Sequence, residues 1–127
     1  MIDALFNQTN YVALKKMLDA TALRHEAIAN NIAHVEVPRY QRIDLAPSFA
    51  EELRQAVSAG GQSQVSQIKP RVEVDRTAIA RTRDGNTVQL EDELLKMNQN
   101  AVAHQMEVQM LTASLLKLRL AITGRSS

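Results

Sequence analysis

Three histidines, His25, His34 and His104, and a set of closely spaced carboxylates are the side chains from which a reactive site could be built. His25-Glu26 opens like the H-E-x-x-H zinc motif, in which two imidazoles one helical turn apart hold the metal and the glutamate activates water. Position 29 is Ala, so the second ligand is missing. The three histidines show no metal spacing among themselves and read as exposed or interfacial side chains. Glu91-Asp92-Glu93 groups three acids, but the first turn of a helix attracts acids to its positive dipole end without any catalysis. The chain has no cysteine, which excludes disulfides, thiolate metal sites and cysteine nucleophiles. No G-x-G-x-x-G, phosphate-binding loop or nucleophile elbow occurs; Gly60, Gly61, Gly85 and Gly124 fall in a linker, a turn and a helix end. Met97, Met106 and Met110 are packing residues rather than a cofactor box. The expectation is a protein that is not an enzyme, with no catalytic residues, no cofactor and no metal.

Charge excludes a second class. Residues 1–33 carry three basic and three acidic side chains, residues 34–89 eight and seven, and residues 90–127 four and four. That balance leaves no electrostatic footprint for nucleic acid. Lys69, Arg71, Arg76, Arg81 and Arg83 come nearest to one, but Glu73 and Asp75 interrupt them, as in a solvated strand or loop. No apolar run approaches eighteen residues, so no transmembrane segment is expected. The first ten residues lack the basic and apolar regions of a secretory signal, so any export is expected to use another route.

With 127 residues the chain can build one domain with a modest core. Its aromatic side chains are Phe6, Tyr11, Tyr40 and Phe49, so that core must be aliphatic, which suits helices better than a β-sandwich. The strongest pattern lies in residues 90–127. Leu90, Leu94, Met97, Ala101, His104, Val108, Leu111, Leu115, Leu118 and Ile122 alternate spacings of four and three, the apolar seam of a coiled coil. Such a helix is on the order of 50 Å long. Glu91, Asp92 and Glu93 occupy its first turn, Lys117 and Arg119 are assigned to its last, and Gly124 fits the residue that ends it. Gln89 is a weak cap at its start.

Residues 1–35 repeat the period more weakly through Tyr11, Leu14, Leu18, Thr21, His25, Ile28, Ile32 and Val35, with Thr9 or Asn10 expected as N-cap. The two seams are expected to pair as one helical domain, mainly α and coiled-coil-like. A second stripe remains on the C-terminal helix, Leu95, Val102, Met106, Ala113, Leu116 and Leu120, and Met17, Leu23 and Ala27 lie off the N-terminal seam. Uncovered stripes of this kind mark interaction surfaces, so intermolecular packing is expected. Between the helices, residues 36–89 read as a small irregular insert too polar to fold back over them. Within it, Ser48-Phe-Ala-Glu51 matches a capping box that starts a short helix, residues 57–67 read as a flexible linker, and Val72–Ile79 as a short strand or extended arm. Asp84-Gly85-Asn86 reads as a turn into the last helix.

Two stretches carry a resemblance. Residues 23–44, LRHEAIANNIAHVEVPRYQRID, resemble the N-terminal motif of the flagellar rod and hook axial proteins, in which an Asn-rich helix end precedes a Pro-Gly-Tyr turn and a basic, aspartate-bearing extension. The match runs through Ile28, Ala29, Asn31, Ile32, Ala33, Pro38, Tyr40, Arg42 and Asp44. It departs at His34, Val37 and Arg39; without Gly at 39, the turn at Pro38 is expected to be type I rather than type II. Asp84-Gly85-Asn86-Thr-Val-Gln-Leu-Glu-Asp-Glu-Leu and the ending Leu115-Leu-Lys-Leu-Arg-Leu-Ala-Ile-Thr-Gly are similar to the proximal rod members of that family. The resemblance covers roughly residues 5–50 and 84–124.

It implies a structural subunit of the bacterial flagellar basal body. Such a subunit is exported by the flagellar type III apparatus and polymerises through its terminal helices into the periplasm-spanning rod around the export channel. The implied partners are other rod proteins, copies of itself, and the membrane-ring and export-gate components at the rod base. On this reading Leu14, Leu18, Ile28 and Ile32 with both stripes of the last helix form the assembly interface, and Asn30 and Asn31 bond a neighbouring subunit; on the residues alone the two amides serve equally well as a helix-end device for orphan carbonyls. The alternative is a soluble helical-hairpin adaptor or chaperone that holds an amphipathic partner helix. A small DNA-binding dimer is disfavoured by the charge balance.

Overall fold

The computed structural model describes residues 2–124, with side chains from Gln8 onward; residue 1 and residues 125–127, the outermost ends of the two expected helical segments, lie outside the described residues. Six elements follow in order: α1 (Ile2–Ala33), β1 (Ile43–Leu45), α2 (Ser48–Ser58), α3 (Gln62–Gln67), β2 (Val72–Val74) and α4 (Leu90–Thr123). The mainly helical class is therefore as expected, with a long helix in each terminal third and a two-stranded sheet between them.

Helix α1 starts at Ile2, upstream of the expected cap, because nothing between Ile2 and Gln8 breaks a helix. Thr9 is instead buried along its length. The helix closes at Ala33 in a tightened last turn, where the His34 amide donates to the carbonyls of Asn30 and Asn31 and the Val35 amide to that of Ile32. A turn over Val37–Tyr40 follows, closed by the Tyr40 amide on the Val37 carbonyl at 3.3 Å. Arg39, at the third position of that turn, has φ of +61°, which a type II turn requires and a type I turn forbids. The type I expectation is thus overturned. The Arg39 amide donates to the Asp84 carbonyl at 2.8 Å, so a contact from a distant turn holds the strained residue in place.

The insert folds back, contrary to the expectation from its polarity. Strands β1 and β2 pair antiparallel, with Ile43 opposite Val74 and Leu45 opposite Val72. Helix α2 then lays Phe49, Leu53 and Ala56 against Ala13 and Ala20 of α1, joined by Val65 of α3. Alanines on α1 leave room for Phe49 and Leu53 to reach its surface. The expected capping box does not form: Pro47 precedes the helix, and the Ser48 hydroxyl accepts from Arg71 at 2.8 Å instead. Residues 62–67, read as part of a linker, are the helix α3 and bury Val65 completely. The apolar residues here are few, but their spacing of three and four aligns them on one face, which average polarity conceals.

Helix α4 begins after Gln89 without a side-chain cap and ends at Gly124, whose φ of +66° places it in the left-handed region. Its last turn holds no basic residue; Lys117 and Arg119 lie a turn earlier. It packs antiparallel along α1, with Asn31 beside Glu93 and Thr21 beside Glu107. The line of contact is polar. Glu93, Asn100 and Glu107, seven residues apart, are its buried members, flanked by half-buried Met97, Ala103 and Leu111. Of the expected apolar seams, Leu14 and Ile28 of α1 are buried and Met97 and Leu111 of α4 half-buried, while the rest of the α4 seam is exposed.

Truncating Leu53 tests the small core. Leu53→Ala is expected to lower unfolding stability by about 2–5 kcal/mol, while Val102→Ala on the exposed side of α4 changes it by less than about 0.5 kcal/mol. Urea denaturation followed by circular dichroism reads both, and equal losses would contradict the assignment of the core.

Candidate assembly interface

The motif residues converge on one buried junction. Asn31, fully buried on α1, uses its whole side chain: Nδ2 donates to the Ile43 carbonyl at 2.8 Å and to Glu93 Oε2 at 3.2 Å, while Oδ1 accepts from the Ile43 amide at 2.9 Å and from the Tyr40 hydroxyl at 3.3 Å. Two donors and two lone pairs are all that an amide offers. Asn31 therefore has nothing left for a neighbouring subunit, and the expected bonding between subunits does not apply to it. Asn30 is exposed, its carbonyl contacting the His34 ring nitrogen at 2.7 Å. His34 stacks on Tyr40 with ring centroids 4.6 Å apart. Pro38 is exposed at the turn.

Arg42 fills the middle of the junction at 4% side-chain exposure. Its Nε donates to Glu93 Oε1 at 2.6 Å, one terminal nitrogen to Asp75, and the other to Asp44 at 3.1 Å and Glu93 Oε2 at 3.3 Å. Arg24 from α1 closes the cluster with a forked contact to Asp44 at 2.8 and 3.3 Å. Two guanidiniums thus meet three carboxylates. Burial works against charge on Arg42, but the hydrogen bonds and charges of Glu93, Asp75 and Asp44 outweigh it and hold the guanidinium protonated. Burial alone would raise the Asp44 carboxyl; the hydrogen bonds from Arg24 and the Leu45 amide, with the charges of Arg24 and Arg42, bring it below the usual carboxylate range. Asp75 is likewise lowered against its desolvation, by the Thr77 hydroxyl and amide and by Arg42. Tyr40 is raised by burial and by the charge of Glu93.

Asn86 finishes the end of α1 from a distance. Its Nδ2 lies 2.9, 3.1 and 2.7 Å from the carbonyls of His34, Val35 and Val37, so two hydrogens serve three acceptors, and its Oδ1 accepts from the Val88 amide. Asp84 Oδ1 accepts from the Asn86 amide, making the expected turn, and Gly85 at φ +75° lets it pass close to Arg39. Thr87 Oγ1 accepts from the Arg42 amide at 2.8 Å. Arg24, Asp75, Thr87 and Glu93 belong to this junction but were not named as site residues, although Thr87 and Glu93 lie within the stretch 84–94 that carries the resemblance. Glu93 in particular looked like an ordinary first-turn acid.

Most of both apolar stripes of α4 is exposed, although Leu118 of the first and Ala113 of the second border the groove beside α1. Of the expected seam, Leu14 and Ile28 are buried and Leu18, Ile32, Met97 and Leu111 half-buried, whereas Leu94, Ala101, Val108, Leu115, Leu118 and Ile122 are exposed. Leu95, Val102, Met106, Leu116 and Leu120 are exposed too; at roughly 100° per residue they lie on the side of the helix opposite Glu93 and Asn100. What remains is an apolar surface along most of a long helix, the kind that another polypeptide covers. Among the described residues no helix is long and apolar enough to cross a membrane, and no group of three or more metal-ligating side chains is placed to hold a metal ion. No protein-family model matches the chain, and no curated protein matches it.

The junction makes a prediction for acid. Because the folded-state values of Asp44 and Asp75 lie below their unfolded ones, the stability they contribute is complete above about pH 4 and lost as pH falls through those lowered values. Arg42→Met, which strands buried Glu93, is expected to cost about 3–5 kcal/mol at neutral pH. It should also flatten the acid dependence relative to the unsubstituted chain. Urea midpoints measured from neutral pH downward check both, and an unchanged acid limb in the variant would contradict this account.

Proposed function

We propose that the chain is a structural subunit of the flagellar basal-body proximal rod, a protein of the FlgB kind that polymerises through its terminal helices into the tubular shaft around the export channel. The observation that carries this reading is α4 itself, with large apolar side chains on its outward faces and a polar line toward α1. A subunit that is finished only by its neighbours presents such a helix; a free-standing domain turns it inward. The motif resemblance at both ends of the chain names the assembly.

Support for the roles of the motif residues differs from what the sequence suggested. Asn31, Tyr40, Arg42, Asp44 and Asn86 set the shape of the subunit, and the stripes carry its contacts. In this reading Leu94, Val108, Leu115, Leu118 and Ile122 meet one neighbour, and Leu95, Val102, Met106, Leu116 and Leu120 meet another. Two faces used differently give a heterologous contact that propagates instead of closing. Other rod proteins and the ring and export-gate components are the proposed partners at the ends of the stack. Stiff helix packing transmits torque there, and no catalytic residue takes part.

Substitution on the exposed stripe separates assembly from folding. Val102→Asp with Leu116→Asp is expected to abolish swimming and remove the protein from isolated basal bodies. Cellular level and helix content should stay near those of the parent, since neither side chain is buried. Swimming cells with normal basal bodies would overturn the proposal. Recovery of the parent protein only from the cytoplasm, bound to a helical client, would favour the adaptor reading.

A further inference from the structure

A groove of about 970 Å³ runs beside α1, with Leu14 and Met17 on its floor, Leu53 of α2 on one wall and Met110 of α4 on the other. Three helices surround it, and the fourth position of a bundle is vacant. We infer that this position receives α4 of a second copy of the chain, packed antiparallel, so that Glu107 of each copy meets Lys117 of the other.

The pattern along α4 supports the pairing. Ala103, Glu107, Met110, Ser114, Lys117 and Ala121 follow one another at spacings of four and three. This is a heptad seam distinct from both apolar stripes. All but Ala121 line the groove. The seam is its own complement when reversed about Thr112: Glu107 falls opposite Lys117, Met110 opposite Ser114, and Ala103 opposite Ala121. Small residues at the two ends allow the helices to approach closely, and Met110 over Ser114 places a large side chain on a small one.

The charges select both the occupant and its direction. Glu107 is buried in the groove, and its partner there is the Thr21 hydroxyl at 3.0 Å; among the described residues no ion pair reaches it. Burial pushes its carboxyl up, against the Thr21 hydrogen bond and the neighbouring His104. Arg24 and Arg54 also line the groove, but they are engaged by Asp44 and Glu51. Lys117 has no ion pair among the described residues. On one helix it stands about 15 Å from Glu107, too far to neutralise it. A parallel arrangement would set Glu107 on Glu107 and Lys117 on Lys117, whereas the antiparallel one forms two opposite-charge pairs. Polar pairs inside an apolar seam fix register and direction in this way. Leu95 and Val102, on the opposite side of α4, stay uncovered, so the dimer does not rest on the assembly reading and stands or falls apart from it.

Sedimentation of the full chain from low to high micromolar concentration tests the pairing. A concentration-dependent dimer is expected; a monomer throughout would overturn the inference. Glu107→Lys and Lys117→Glu should each weaken dimerisation at least about tenfold, and the double charge reversal should restore it. A double variant no better than either single one would also overturn it. Orientation has a readout that does not depend on those variants folding, since the chain lacks cysteine. Met110→Cys and Ser114→Cys chains, mixed and oxidised, should cross-link to each other in preference to themselves. Predominant self-linkage of the Met110→Cys chain would exclude the antiparallel register.

Discussion

Arg42 is the residue through which the separate parts of this molecule are tied, because its carboxylate partners arrive from different places in the chain. Asp44 stands on β1, Asp75 follows β2 and Glu93 opens α4. A buried guanidinium is tolerated only when its donors are met, and the desolvation of three carboxylates is offset only by guanidinium groups, so each element stabilises the others' positions. Asn31 adds the fourth direction by joining α1 to β1 and to the same Glu93. The core of alanine, leucine, valine and a single phenylalanine supplies apolar burial. The polar junction supplies the geometry, since carboxylate and guanidinium accept few alternative arrangements.

That division explains why α4 is oriented as it is. A helix held by Glu93, Asn100 and Glu107 through specific bonds to Asn31, Arg42 and Thr21 is fixed in rotation, and its apolar side chains are directed outward as a result. Were hydrophobic burial alone to choose the face, Leu94, Val108 and Leu115 would turn toward α1. The polar line thus works like the polar residues that set register in coiled coils, giving up some burial energy for a defined direction. The apolar surface that results stays exposed along most of α4.

Much of this architecture was legible in the sequence, and the failures have a common cause. Periodicity located both long helices and the glycine that ends α4, because long amphipathic patterns and end signals are local. It could not say which face of α4 meets α1, since that depends on pairing Glu93 with Arg42 across 51 positions. The motif residues Tyr40, Arg42, Asp44 and Asn86 make their contacts, with Asn31, inside one chain, a role their spacing in sequence does not announce. The fold-back of α2 and α3 was hidden by the average polarity of residues 36–89, in which a handful of aligned apolar side chains suffices. The left-handed Arg39 was unreadable because the carbonyl that holds it belongs to Asp84.

The outward-facing apolar helix also bears on the chain as a colloid. With a formal net charge of +1 and charges balanced along its length, the molecule has almost no long-range repulsion to keep copies apart. Surfaces of that kind lose solubility as concentration rises, whatever the stability of the individual fold. On the assembly proposed for it, the free chain is therefore a species suited to dilution, whose working life is set by how soon the long face of α4 is covered.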